Sequence, residues 1–324
     1  FGILNWGADY IDPTNEDVYS WTHPLAKPSG NNATVLIHSD GNVSRDNDFV
    51  KEDAYLTDAF AREAVEFIKE KKRGPFFLYI PFTAIHGPLQ VTSDYYAPLA
   101  HINDEARRIY AGMTSALDHG VGKILQAIRA EGLEENTIVA LLSDNGAGVA
   151  NYTNNGPFRL GKHTLFEGGV RVPYIVKWPG EIEAGTEYRQ PVSTLDVFPT
   201  LLSAAGHGLP TDRSLDGVDL LPHLNLQTNS SPHTALFWRQ GPNWAVRQND
   251  WKLIHAANQN WLYDLSHDPA ERINLAKRNP EVIKKLTKVF DDWNADNVDP
   301  LWPPLGGKSL SSFAVDGVAI TWVL

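Results

Sequence analysis

Four residues carry polar or ionisable side chains suited to one site: His86, Asp144 and Asn145, each past the end of an apolar run, and Lys162 in a basic, glycine-containing stretch further on. Residues 138–142 (Ile-Val-Ala-Leu-Leu) are too short for a helix and suit a strand covered on both faces. That run stops at Ser143-Asp144-Asn145-Gly146, where an Asp and an Asn side by side offer oxygen ligands to a hard cation such as Ca²⁺ or Mg²⁺. Positive charge returns in Arg159-Leu160-Gly161-Lys162-His163-Thr164. A cation and a lysine near one pocket suit an anionic substrate held at fixed charges. Asn154, Asn155 and Arg159, in the loop between, are candidates for substrate contact or for plain loop roles. His86 follows a second apolar run at 76–82 and is braced by Gly87 and Pro88. In an open α/β sheet the carboxyl ends of strands are where ligands sit, and both runs would end at that edge. Residue types alone leave a second reading open, because Asp-Asn-Gly is also turn composition and a histidine after a strand is often structural.

The elements that would position these residues follow from periodicity. Apolar residues at helical spacing (Phe60, Ala64, Phe67, Ile68) predict a helix over 55–72, capped by Thr57 or Asp58. A longer helix over 107–131 has Tyr110, Met113, Leu117, Val121, Leu125 and Ile128 as its inward stripe, Gly132 as its C-terminal cap, and Asp118 and His119 in solvated or structural roles. Strand 76–82, this helix and strand 138–142 read as one strand–helix–strand unit of a parallel sheet. Glu167 is expected at the same sheet edge, with Arg171 as ion-pair partner and Gly168-Gly169 marking a tight turn. A strand follows at 173–178, then a helix from Leu195 to near Gly206 in which Asp196 caps or braces. Short strands at 235–238, 244–247, 251–254 and 261–265, a turn at Asn249-Asp250, and a helix over 280–293 describe a smaller C-terminal unit. The expected division is 1–232 for a large α/β domain and 233–324 for an α+β domain. The tryptophans there (Trp238, Trp244, Trp251, Trp261) are read as core in preference to sugar platforms.

Composition narrows the function classes. The chain has 324 residues and a net charge of −11, which argues against a nucleic-acid-binding surface. No apolar run reaches membrane-spanning length. With 0 cysteines there is no disulfide framework and no cysteine-ligated zinc. Glycosylation-type triplets start at Asn32, Asn42, Asn151 and Asn229; such matches arise readily by chance.

Ser143-Asp144-Asn145-Gly146, the run Gly161-Lys162-His163-Thr164-Leu165-Phe166-Glu167-Gly168-Gly169, and His86-Gly87-Pro88-Leu89 together resemble the formylglycine-dependent sulfatases, in particular the arylsulfatase-B-like branch. The resemblance runs to about Lys285. It implies an alkaline-phosphatase-like α/β fold: a large, mostly parallel sheet flanked by helices, plus a small C-terminal antiparallel sheet with a helix. It implies hydrolysis of a sulfate ester, on a sulfated carbohydrate or aryl sulfate, by a formylglycine nucleophile with calcium as electrophile. Carried onto this sequence, Asp144 and Asn145 supply part of the metal shell, Lys162 meets the sulfate oxygens, and His86 protonates the leaving oxygen. Family habit implies a periplasmic or secreted protein.

One departure stands out. The family's Cys-x-Pro-x-Arg motif, or its serine version, does not occur here, and the chain opens at Phe1 in a segment resembling the middle of family members. The resemblance therefore implies an N-terminally truncated chain that lacks the nucleophile and the remaining metal-binding aspartates and is inactive alone. The alternative is a sulfate- or glycan-binding relative without catalysis; a phosphoryl-transfer relative on the same fold is a weaker one.

Overall fold

The computed structural model describes residues 2–3, 17–21, 43–45, 48–49, 52–148, 152–228, 230–298 and 311–322. The four glycosylation-type asparagines lie outside the described residues, as does most of 1–50. The chain forms two compact units, 1–137 with 151–153, and 138–150 with 154–324. The boundary expected near 232 falls inside the second unit, because charged side chains on either side of it pair in one buried cluster.

The first unit contains β1 (Gly2–Ile3), β2 (Val18–Trp21), β3 (Val43–Arg45), β4 (Asp48–Phe49), α1 (Leu56–Lys71), β5 (Leu89–Thr92), α2 (Ser93–Tyr96) and α3 (Glu105–Ala130). Its core joins Tyr55, Leu56, Leu89, Val91, Ala106, Ile109, Met113 and Ala116. Helix α1 has Tyr55 at its N-cap position, before the expected caps; Thr57 is buried instead and does not cap. Helix α3 is capped by Asp104, which accepts from the Arg107 amide at 2.7 Å, and closes at Gly132 with φ +70°. Met113 and Ile128 of the expected stripe are buried, but the buried face is rotated from the rest of it and runs through Ile109, Gly112, Met113, Ala116, Gly120, Ile124, Ala127 and Ile128. The small residues set that rotation: a Cβ at Gly120 would lie 3.3 Å from Ala61 Cβ, and one at Gly112 would lie 3.1 Å from Val91 Cγ2. Close approach to α1 and β5 thus outweighs the larger apolar side chains in choosing the face.

Residues 76–82, expected as a strand covered on both faces, form no ladder among the described residues. One side packs on α1 through Phe67–Phe76 and Phe60–Phe82 ring contacts. On the other, Phe77 and Tyr79 are 73% and 74% exposed.

The second unit contains β6 (Val139–Leu142), α4 (Glu167–Val170), β7 (Tyr174–Lys177), α5 (Val197–Ala204), α6 (Leu221–Leu224), β8 (Leu236–Gln240), β9 (Asn243–Gln248), β10 (Trp251–Ala256), β11 (Gln259–Asp264), α7 (Pro280–Asn294), β12 (Ser311–Val315) and β13 (Val318–Trp322). β6 pairs antiparallel with β7, Leu142 opposite Tyr174, so the parallel partner expected for residues 138–142 is not among the described ladders, which are all antiparallel.

Strands β8 to β11 form an antiparallel meander, and Asn249 at φ +54° makes the expected β9–β10 turn. Alternation along the strands covers both faces. Val246, Leu253 and Leu262 pack under Leu286 and Phe290 of α7. Ala245, Ile254, Trp261 and Tyr263 pack under Leu165, Phe166 and the β12–β13 hairpin. The tryptophans serve this core: Trp261 is 2% exposed, and Trp244 stacks on Phe290 with centroids 4.1 Å apart. The second face is the one that matters for the site, since Phe166 adjoins Glu167 and the turn bearing Lys162.

Candidate functional site

In the second unit the backbone brings the acidic turn and the lysine turn together. The Gly146 amide donates to Gly169 O at 2.9 Å, and the Lys162 amide donates to Ala147 O at 3.0 Å. Glycine is obligatory along this seam. A Cβ at Gly146 would lie 1.7 Å from Gly168 O, one at Gly168 2.3 Å from Leu160 O, and one at Gly169 2.2 Å from Thr164 O. The glycines of Asp-Asn-Gly and Glu-Gly-Gly are therefore there for backbone-to-backbone packing.

At the acidic turn, Asp144 is exposed and its Oδ1 accepts from the Asn145 amide at 2.9 Å, while Ser143 Oγ donates to Asn145 O. One carboxylate and one amide oxygen are the right donors for a hard cation. They fit as part of a shell: among the described residues no three His, Cys, Asp or Glu side chains cluster as a metal site.

At the lysine turn, Leu160 and His163 hold φ of +58° and +73°, left-handed values that a non-glycine residue adopts at a cost of about 1–3 kcal/mol. Thr164 closes the turn, its amide and its Oγ1 both donating to Gly161 O. Lys162 Nζ makes no hydrogen bond or ion pair among the described residues, so its ammonium is available to an anion.

Asn155 and Arg159 are tied into the fold. The Asn155 side chain accepts from the Ala147 amide and donates to Ala147 O and Leu160 O at 2.9–3.0 Å, bridging the two turns. Arg159 donates to Glu271 O at 2.9 Å and pairs with Asp316 at 2.9 Å, clamping the loop to the C-terminal sheet and hairpin. His86 belongs to the first unit. It is exposed, and its Nδ1 donates to Gly87 O at 2.7 Å. That bond fixes the proton on Nδ1 of the neutral ring and leaves Nε2 as the working nitrogen.

Glu167 departs from expectation: it is buried, 2% exposed, because a partner far along the chain enters beneath it. Lys252 of β10, fully buried, places Nζ 2.8 Å from Glu167 Oε1 and 2.9 Å from Glu271 Oε1. Glu271 also accepts from the Glu167 amide at 2.6 Å. Arg171, the expected partner, lies 3.6 Å from Glu167 Oε2, and Arg247 lies 4.0 Å away. Burial works to raise the Glu167 carboxyl, but Lys252, Arg247 and Arg171 outweigh it and hold it below the usual range. Burial raises Glu271, with Lys252 as its main counter-charge and Glu167 adding repulsion. No local pattern around Lys252 or Glu271 signalled this cluster. A lysine at a core position of a strand was the available clue.

Asp196 has the bracing role expected of it. Wholly buried, it accepts from the amides of Ser193 and Val218 and lies 2.9 Å from His233 Nε2 through both oxygens.

Comparison with known proteins shows the family. The sulfatase family profile matches residues 4–207, and the profile for the C-terminal region of N-sulphoglucosamine sulphohydrolase matches 158–296. The chain belongs to the sulfatase family. N-acetylgalactosamine-6-sulfatase of Canis lupus familiaris is 35% identical over 274 residues, covering 73% of this chain and 51% of the relative. A sulfatase of Formosa agariphila is 35% identical over 284 residues, covering 76% and 51%. The chain thus spans about half the length of the curated relatives it matches. Among solved structures, Ps i-CgsB is 34% identical with a TM-score of 0.75, covering 80% of this chain and 59% of that one; it has also been solved with k-i-k-neocarrahexaose. The fold is the alkaline-phosphatase-like α/β fold of the sulfatases.

Proposed function

We propose that this chain forms part of a sulfuric ester hydrolase acting on a sulfated carbohydrate, with the sulfate held at Lys162. The observation that carries this reading is the ammonium of Lys162: unpaired among the described residues, held by a strained turn, and seamed to the Asp144–Asn145 turn by the Lys162 amide bond to Ala147. The 35% identity to N-acetylgalactosamine-6-sulfatase supports sulfated sugar as the substrate class, and the complex of the 34% identical Ps i-CgsB with k-i-k-neocarrahexaose supports a carbohydrate.

Asp144 and Asn145 would supply two oxygens to a calcium ion, which when bound adds positive charge beside the sulfate. Lys162 supplies a compact point charge to the sulfate oxygens, balancing charge that builds on them as the ester bond opens. His86, in the first unit, is a proton donor by resemblance: with Nδ1 directed at Gly87 O, a protonated ring presents its second proton from Nε2. Asn155 and Arg159 hold the loop, and their effect on substrate runs through the position of Lys162.

The formylglycine nucleophile of the family derives from a Cys-x-Pro-x-Arg motif or its serine version, and neither occurs in this sequence. A second reading is a sulfate- or glycan-binding role without turnover. Both readings share the sulfate contact. The test is equilibrium binding of a sulfated galactose-containing oligosaccharide and its desulfated counterpart to the chain and to Lys162→Ala. Preference for the sulfated ligand, lost in the variant, is expected. Equal binding of the two ligands would contradict both readings.

A further inference from the structure

The buried charges beneath the lysine turn have no part in the chemistry above. We propose that Glu167, Lys252 and Glu271 are a positioning device through which the four-stranded C-terminal sheet sets the conformation of the Lys162 turn. Its functional meaning rests on the reading of Lys162 as the sulfate contact; the mechanical claim does not.

The geometry links the two in few steps. Lys252 stands on β10, whose ladders to β9 and β11 run the length of the strand. Its ammonium grips Glu167 at 2.8 Å and Glu271 at 2.9 Å, and Glu271 in turn accepts from the Glu167 amide. Glu167 opens the one-turn helix α4, whose Gly168 amide donates to Arg159 O at 2.9 Å and whose Gly169 carbonyl accepts from Gly146. Arg159 returns to the same place by donating to Glu271 O. Both ends of the lysine turn, Arg159–Leu160 and Thr164–Glu167, are thus tied to Glu271, Lys252 or their neighbours.

Such anchoring is needed, since Leu160 and His163 hold left-handed backbone that persists only where the surroundings over-determine it. A buried cluster of two carboxylates and one ammonium is also a costly way to fill space. Apolar residues of the same volume would serve stability as well or better. What the charges add is a directional tie between segments 85 residues apart.

The test is amide hydrogen exchange on the full chain, resolved by mass spectrometry. Lys252→Met keeps volume and removes the charge that both carboxylates face. Exchange at the Gly146, Lys162 and Gly168 amides is expected to accelerate by about tenfold or more, the scale for losing a charge-assisted buried hydrogen bond. The amides of the β10–β11 ladder should keep their protection. Adding Glu271→Gln, which removes one stranded carboxylate and retains an acceptor for the Glu167 amide, should restore most of the lost protection. No acceleration, equal acceleration in the ladder, or no restoration would overturn the proposal. If Lys252→Met does not fold, Glu167→Gln carries the same test: faster exchange confined to the three amides supports it, and unchanged exchange sinks it. Sulfated-ligand binding by Lys162→Ala is measured separately, so normal binding there would remove the sulfate reading and leave the exchange result standing.

Discussion

The amide of Lys162 donates to the carbonyl of Ala147 at 3.0 Å, two residues past Asn145. A lysine and an Asp–Asn pair are thereby set on adjoining turns by backbone bonding, which side-chain motion does not undo. The Asn155 side chain doubles the link by bonding to Ala147 and Leu160.

Because Gly146 and Gly168 meet backbone to backbone, Gly146→Ala should be among the most damaging single changes in the second unit. The added Cβ would fall 1.7 Å from Gly168 O, and relief requires the seam to open. Overpacking of this kind costs about 1–3 kcal/mol, sometimes more. Gly148→Ala, with nothing within 4 Å of the added carbon, serves as the control. Thermal melts of the two variants check this: a large fall in Tm for the first and little change for the second.

Calcium binding by this chain should be weak. Calcium takes about six to eight oxygens, of which Asp144 with Asn145 would supply a minority. Calorimetric titration is expected to show no tight stoichiometric binding, and Asp144→Ala should abolish what binding there is. A tight site unaffected by Asp144→Ala would place the metal elsewhere.

Alkaline pH should weaken the second unit through Tyr174 and Lys252. Burial, helped by the charge of Asp196, pushes the Tyr174 phenol up to about 12 from 10.0. The folded state favours the neutral phenol, so this contribution is fully present below pH 10 and is lost as pH rises toward 12. Lys252 acts in the same direction. Burial works to lower it, but Glu271 and Glu167 outweigh that and hold its ammonium charged above the usual lysine range. Melting temperature followed from neutral pH upward should fall in this window, and Tyr174→Phe should flatten part of the fall. An unchanged profile in that variant would contradict the assignment to Tyr174.

Much of this was legible in the sequence, and the limits have physical causes. Helices 56–71, 105–130 and 280–294 follow from 3.6-residue periodicity and clear stop signals, and the meander follows from short alternating runs around Asn249. The site turns were legible because Asp144-Asn145-Gly146 and Glu167-Gly168-Gly169 are local patterns. The inward stripe of α3 is legible at Met113 and Ile128 but rotated elsewhere, because Gly112 and Gly120 carry no hydrophobic signal yet allow close packing. Glu167 was expected at an exposed edge because its partner, Lys252, is 85 residues away and nothing local announces it. Arg159 was similar: its partners Glu271 and Asp316 lie 112 and 157 residues on. Pairings across such distances are fixed by the fold and leave no spacing to read.

The central claim, that Lys162 holds the sulfate of an ester under hydrolysis, is tested most directly by turnover of an aryl sulfate by the protein that carries this chain. Lys162→Ala should lower turnover by about a hundredfold or more, the usual cost of removing a preorganised charge from such a site, with an unchanged melting temperature. Lys162→Arg should recover little, since a planar fork does not reproduce a compact ammonium. His119→Ala, exposed on α3 in the first unit, should retain nearly full activity. Equal loss in Lys162→Ala and His119→Ala, or full activity in Lys162→Ala, would contradict the account.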